Sequence, residues 1–121
     1  MAAPNLVNVA TITAKSVQAA LSTTLTTEIL ANGSSSGQEF KINNILVANI
    51  DGTNSADASV AITKSGGSPI MIASTIAVPA DSTLVVVDKD TGLYLEEGDN
   101  IEAGASAASD LVITINYEEL S

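Results

Sequence analysis

The sequence predicts an all-β fold: an antiparallel β-sandwich of jelly-roll type with about eight strands. Three observations predict it. Short runs alternate apolar and polar residues with a period of two, the signature of strands with one buried face. Clusters of Gly, Asn, Asp, Ser and Pro separate these runs, as tight turns require. Phe40, Tyr94 and Tyr117 are the only aromatics and there is no Trp, so Val, Ile, Leu and Ala must fill the interior, residues suited to thin layers between pleated sheets. At 121 residues the chain has the length of one domain, enough to bury about two-thirds of its unfolded surface.

Residues 1–6, small and interrupted by Pro4, are expected to form an extended N-terminal arm. Val7 to Thr13 has strand periodicity. Ala14 to Leu21 is the only stretch whose spacing admits a helix, through Val17, Ala20 and Leu21, and the Ser and Thr residues after it would end it. Leu21 to Leu30 is expected to be extended. Residues 40–50, FKINNILVANI, form one of the two clearest strands: Phe40, Ile42, Leu46, Ala48 and Ile50 fall on one face, with Asn44 as the exception, and Lys41, Asn43, Ile45, Val47 and Asn49 on the other. Ala58 to Lys64, Ile70 to Val78, Leu84 to Val87, Leu93 to Leu95 and Asn100 to Ala103 follow the same period. Residues 111–117, LVITINY, alternate most cleanly, with Leu111, Ile113, Ile115 and Tyr117 on one face. Turns are expected at Asn32-Gly33, Asp51-Gly52, Gly66-Gly67, Pro79-Ala80-Asp81, Thr91-Gly92 and Gly98-Asp99.

The formal charge is −10, unevenly spread along the chain. Residues 1–80 carry four acids against three lysines; from Asp81 onward ten acids stand against Lys89 alone. No Arg is present. Nucleic-acid binding needs clustered cations, so none is expected. A charge-poor surface suits an interface, because charged residues are depleted at interface cores. Met1 to Asn5 has no basic stretch leading into an apolar run, and no segment has the roughly 18 unbroken apolar residues of a membrane helix. The chain is therefore expected to be made in the cytoplasm and to bind no membrane.

The residue inventory limits chemistry. With no His and no Cys, the usual Ser-His-Asp and Cys-His catalytic sets and thiolate metal sites cannot form. Ser-Lys pairs remain formally possible at Lys15-Ser16 and Lys64-Ser65, but a lone Lys beside Ser is far more often a solvated turn. Glu96, Glu97 and Asp99 flank Gly98 and could supply paired carboxylates, or simply a charged hairpin tip that keeps edges apart. Asp51, Asn54 and Asp57 around Gly52, and Asp88 with Asp90 around Lys89, offer oxygen ligands suited to Ca²⁺, but neither has EF-hand spacing, and Asp and Asn are common turn residues. The glycines of Gly33 to Gly37 and Gly66-Gly67 lack a phosphate-loop context. No catalytic residue, metal or cofactor is expected.

The segment from Leu93 to Glu119, LYLEEGDNIEAGASAASDLVITINYEE, resembles the C-terminal part of small virion proteins of tailed phages, particularly marine cyanophage-type sequences. The stretches VANIDGTNSADASVAI (47–62) and STIAVPADSTLVVVDKD (74–90) look like the same family, so the likeness covers most of the chain. It implies a non-enzymatic, many-copy structural protein of the virion: a capsid decoration or cement protein binding the major capsid protein as a homo-oligomer, dimer or trimer. A tail, connector, fibre or baseplate domain, binding a receptor or glycan, is the alternative. The −1 and −9 charge split suggests that the near-neutral part makes contacts while the acidic part faces solvent.

Overall fold

The computed structural model describes residues 9–25, 28–90 and 93–121. The expected arm at residues 1–6 and the Thr91-Gly92 turn lie outside them. Nine strands are present among the described residues: β1 (Ile12–Ala20), β2 (Glu28–Ala31), β3 (Glu39–Asn49), β4 (Ala56–Thr63), β5 (Pro69–Val78), β6 (Thr83–Val87), β7 (Leu93–Leu95), β8 (Asn100–Ala105) and β9 (Leu111–Leu120). They form two antiparallel sheets, one ordered β1-β9-β3-β6 with β7 also on β3, the other β2-β8-β4-β5. β6 pairs with Ile45 to Ala48 and β7 with Phe40 to Ile42, along the same edge of β3. Taken as one interrupted strand, β6 and β7 reduce the count to eight, in the order 1-8-3-6 and 2-7-4-5. That is a jelly roll, with the chain crossing between sheets at almost every connection.

β9 follows its sequence pattern: Leu111, Ile113, Ile115 and Tyr117 are buried, while Val112, Thr114 and Asn116 between them are not. β3 departs from its expected faces halfway along. Phe40 and Ile42 point into the core, but the pairing with β9 slips between Ile42 and Asn44, and beyond it Ile45, Val47 and Asn49 are the buried residues. An extra residue in a strand moves every later side chain to the opposite face. Leu46 and Ala48 therefore face outward and Ile50 is exposed, contrary to the uninterrupted alternation.

The helix considered for Ala14 to Leu21 does not form. This stretch lies in β1, which pairs with β9 continuously from Ile12↔Leu120 to Ala20↔Val112. Backbone pairing to the most regular strand outweighs the weak helical spacing of Val17, Ala20 and Leu21, and it is Val17, Ala19 and Leu21, each two apart, that meet the core. Among the described residues, the expected strand from Val7 to Thr13 is a strand from Ile12 on, and that from Leu21 to Leu30 from Glu28 on; Val7, Asn8, Thr26 and Thr27 lie outside the described residues.

The core lies between the sheets. Ile42, Ile45, Val47, Leu111, Ile113 and Ile115 come from one sheet, and Ala58, Val60, Ile101 and Ala103 from the other. Phe40 and Tyr117 meet at a ring-centroid separation of 5.1 Å. Small residues on the four-stranded side let the layers close with this single aromatic pair, in keeping with a composition poor in aromatics. Two buried asparagines fasten the ends. Asn49 donates to the carbonyls of Asn54 and Val78 at 2.9 Å each and accepts from the Asp51 N–H. Asn32 donates to the carbonyls of Gln38 and Leu95 and accepts from Ser36. Both side chains tie a turn to a neighbouring strand, satisfying polar groups that would otherwise be buried unpaired.

Candidate functional site

Of the sequence's candidate carboxylates Glu96, Glu97 and Asp99, at one end of the sandwich, Glu96 and Asp99 meet on a cation while Glu97 turns to a backbone N–H. The loop between β7 and β8 turns at Gly98, whose φ of 86° suits glycine; a Cβ there would also lie 2.6 Å from Ser65 Oγ. This close approach brings the end of β4 against the loop. Lys64 Nζ donates to Asp99 Oδ2 at 2.5 Å and to Glu96 Oε1 at 2.8 Å. Asp99 is 2% exposed and also accepts from the Ser65 and Glu96 N–H groups. Glu97 accepts from the Gly37 N–H at 3.0 Å. Hydrogen bonds to Asp99 and Glu96 raise the Lys64 pKa, the wrong direction for a Ser-Lys general base. Glu39, at the start of β3, joins the group: burial first, then the charge of Glu96, raises its pKa. Nothing in the linear sequence marks Glu39, because the register of β3 on β7 brings it there.

The other candidates are dispersed. Lys15 and Ser16 are consecutive in β1 and point to opposite faces, Lys15 opposite Tyr117 and Ser16 opposite Asn116; Lys15 reaches Glu119 at 3.9 Å and Ser16 accepts from Gln18. Asp51 caps its own turn, accepting from the Thr53 and Asn54 N–H groups; these bonds lower its pKa. Asp57 lies in β4, where its backbone bonds Ser106, away from that turn. Asp88 accepts from the Asp90 N–H within a turn. Among the described residues, no three His, Cys, Asp or Glu side chains converge as a metal-binding group. A cleft of about 190 Å³ is lined by Asp57, Ser59, Thr75 and Ser106 among others. Gly104 forms part of its wall because a Cβ would meet the Thr24 carbonyl at 2.9 Å.

The larger feature is the distribution of charge over the surface. Strand pairing places Glu39, Glu96, Glu97, Asp99, Glu118 and Glu119 at one end with Lys15, Lys41 and Lys64. Asp51, Asp57, Asp81 and Asp110 lie at the other end with no lysine. The acidic C-terminal third is woven through both sheets, so the charge split along the chain does not become a split in space. Between the ends, the outer face of the five-stranded sheet carries three rows without charge: Ser16, Asn116 and Asn44; Gln18, Thr114, Leu46 and Val85; Ala20, Val112, Ala48 and Thr83. The edge strand β5 is also uncharged and leaves Ile70 64%, Met71 38%, Ile72 39% and Ile76 40% exposed. Both surfaces lack charge, as interface cores do, but only the β5 surface is also apolar; the outer face is mostly small and polar. The sequence reading found β5 as a strand but not as an edge, since strand order is not encoded in periodicity.

No protein-family model matches the sequence, and no curated protein matches it significantly.

Proposed function

We propose that the chain is a non-enzymatic structural protein of a phage virion, a capsid decoration or cement protein that binds the major capsid protein lattice as a symmetric oligomer and stabilises the head. The observation that carries this reading is the pair of uncharged surfaces, one sheet face and one edge strand, held between two acidic ends of the sandwich. Flat, small-residue faces suit docking to a scaffold, and repetition in symmetric copies turns individually modest contacts into firm attachment. The acidic ends would keep neighbouring particles apart. The sequence resemblance of residues 93–119 to small phage virion proteins supports the same assignment.

The experiment is co-sedimentation of the purified chain with undecorated capsids. Ala48→Asp and Thr114→Asp put charge on the outer face and are expected to weaken binding at least tenfold, since an uncompensated charge in a dry interface is strongly unfavourable. Reversal of exposed acids should leave binding intact. Glu96, Glu97 and Glu102 are poor choices for this control, because each bonds Lys64, Gly37 or Thr63; Asp90→Lys, at an exposed turn position off that face, serves better. Binding that ignores the outer-face charges but is lost on acid reversal would overturn the assignment of faces. A folded chain that binds no capsid would move the assignment to the tail, connector or fibre.

A further inference from the structure

We infer that the cleft on the outer face of the four-stranded sheet is a binding site for a single neutral sugar residue, with Asp57, Ser59 and Ser106 as its polar contacts. The inference goes beyond the reading of the chain as a capsid component: docking through the five-stranded sheet would leave this opposite face open to solvent.

Two strands form the floor of the cleft. Ser59 of β4 pairs with Gly104 of β8, and both face outward because their sequence neighbours Ala58, Val60, Ala103 and Ala105 lie in the core. The segment after β1 crosses this floor so closely that a Cβ on Gly104 would stand 2.9 Å from the Thr24 carbonyl oxygen. That crossing makes Thr23 and Leu25 one wall. The other wall is Thr75 of β5, whose φ of 46° is costly for a β-branched residue. Backbone strain of this kind gathers at ligand clamps. Asp57 and Ser106 complete the lining.

The backbone orients the hydroxyls. Ser59 Oγ accepts from the Thr75 N–H at 3.0 Å and Ser106 Oγ from the Asp57 N–H at 2.8 Å, so each keeps its own proton for a further partner. The Asp57 carboxylate only accepts, and among the described residues no lysine reaches it. Donors beside a charged acceptor call for a ligand whose groups both donate and accept, as sugar hydroxyls do. An ammonium or guanidinium group would answer Asp57 but, having no acceptor, would leave both serine protons unanswered. A sugar acid would be repelled by Asp57 and by the net charge of −10. Leu25 and the bare backbone of Gly104 offer apolar surface to the C–H groups of a ring. The volume of about 190 Å³, below the roughly 300–1,000 Å³ of drug-sized sites, limits the occupant to one ring.

Titrating the isotope-labelled full chain with the methyl glycosides of glucose, galactose, mannose and N-acetylglucosamine, followed by amide NMR, reads the site directly. At least one should saturably shift the amides of Ser59, Thr75, Gly104 and Ser106. The dissociation constant is expected in the millimolar range, since a small polar ligand with no stacking surface gains little affinity. Asp57→Ala should weaken this binding about tenfold or more, the loss of a charge-assisted hydrogen bond. Ser106→Ala, which removes a donor and keeps Asp57, should weaken it severalfold. Asp81→Asn, at the same acidic end but outside the cleft, should leave it unchanged. Beads carrying a polysaccharide that ends in the same residue assign the source, a glycan end if they retain the protein and free sugar if they do not, and both uphold the site. The inference is overturned by no saturable shift from any of these sugars, by binding indifferent to both Asp57→Ala and Ser106→Ala, or by calcium or guanidinium shifting these amides where no sugar does. Sugar binding by a chain that ignores capsids would uphold the site and sink the virion reading; capsid binding by a chain that ignores sugars would do the reverse.

Discussion

Asp99 is the residue on which the acidic end depends. Its buried carboxylate accepts two backbone N–H bonds and one from Lys64, so Asp99→Ala leaves several donors without their acceptor. Urea denaturation should register a loss of about 2–3 kcal/mol; a loss under about 0.5 kcal/mol would mean the loop re-forms without it. Lys64→Met should cost less, under about 1 kcal/mol, because the lysine is half-exposed and its ion pairs are screened. Glu39 works in the opposite sense. Burial and the Glu96 charge raise its pKa in the fold, so over the interval above the ordinary carboxylate range the native state holds its proton more tightly than the unfolded chain. Its contribution to stability therefore falls as pH rises through that interval. Glu39→Gln is expected to raise Tm at pH 7 and to leave it nearly unchanged at pH 3, where the native glutamate is already neutral. A Tm lowered at pH 7 would contradict this.

At the scale of elements, the regular strands were legible in the sequence and the irregular ones were not. β9 could be read because its period of two is unbroken through Tyr117. β3 could be read only as far as its paired asparagines: Asn44, the one polar residue on its supposed apolar face, marks the slip that turns Ile45 and Val47 inward. The break in period was visible, but its consequence depends on pairing with β9, which the sequence does not specify. β1 was obscured because its residues before Val17 are exposed and only Val17 and Ala19 within it, with Leu21 just after it, meet the core, and the strand exists by virtue of its neighbour. The carboxylates at Gly98 were found as neighbours in sequence, whereas Glu39 and Lys64 arrive from β3 and the end of β4. β5 contains the clearest local strain. Thr75, a β-branched residue, has a φ of 46°, while its N–H donates to Ser59 Oγ at 3.0 Å. Asn tolerates this conformation better and leaves the backbone bond in place, so Thr75→Asn should stabilise the protein by about 0.5–1 kcal/mol in thermal or urea melts. A loss of stability would show that the threonine side chain is itself needed at the bulge.

The whole molecule is a jelly roll whose interleaved strands distribute a lopsided sequence evenly. Acids that crowd the last third of the chain finish at both ends of the sandwich, and the uncharged residues of β1, β3, β6 and β9 gather into one outer face. That arrangement is the basis for reading the protein as a component that attaches through its neutral surfaces and presents its charge to solvent. Its most direct test is the copy number bound per undecorated capsid at saturation. The account predicts saturable binding at a number set by the symmetry of the lattice, with attachment lost on charging the outer face at Ala48 or Thr114. Absence of binding by a folded chain, or a binding number unrelated to that symmetry, would contradict it.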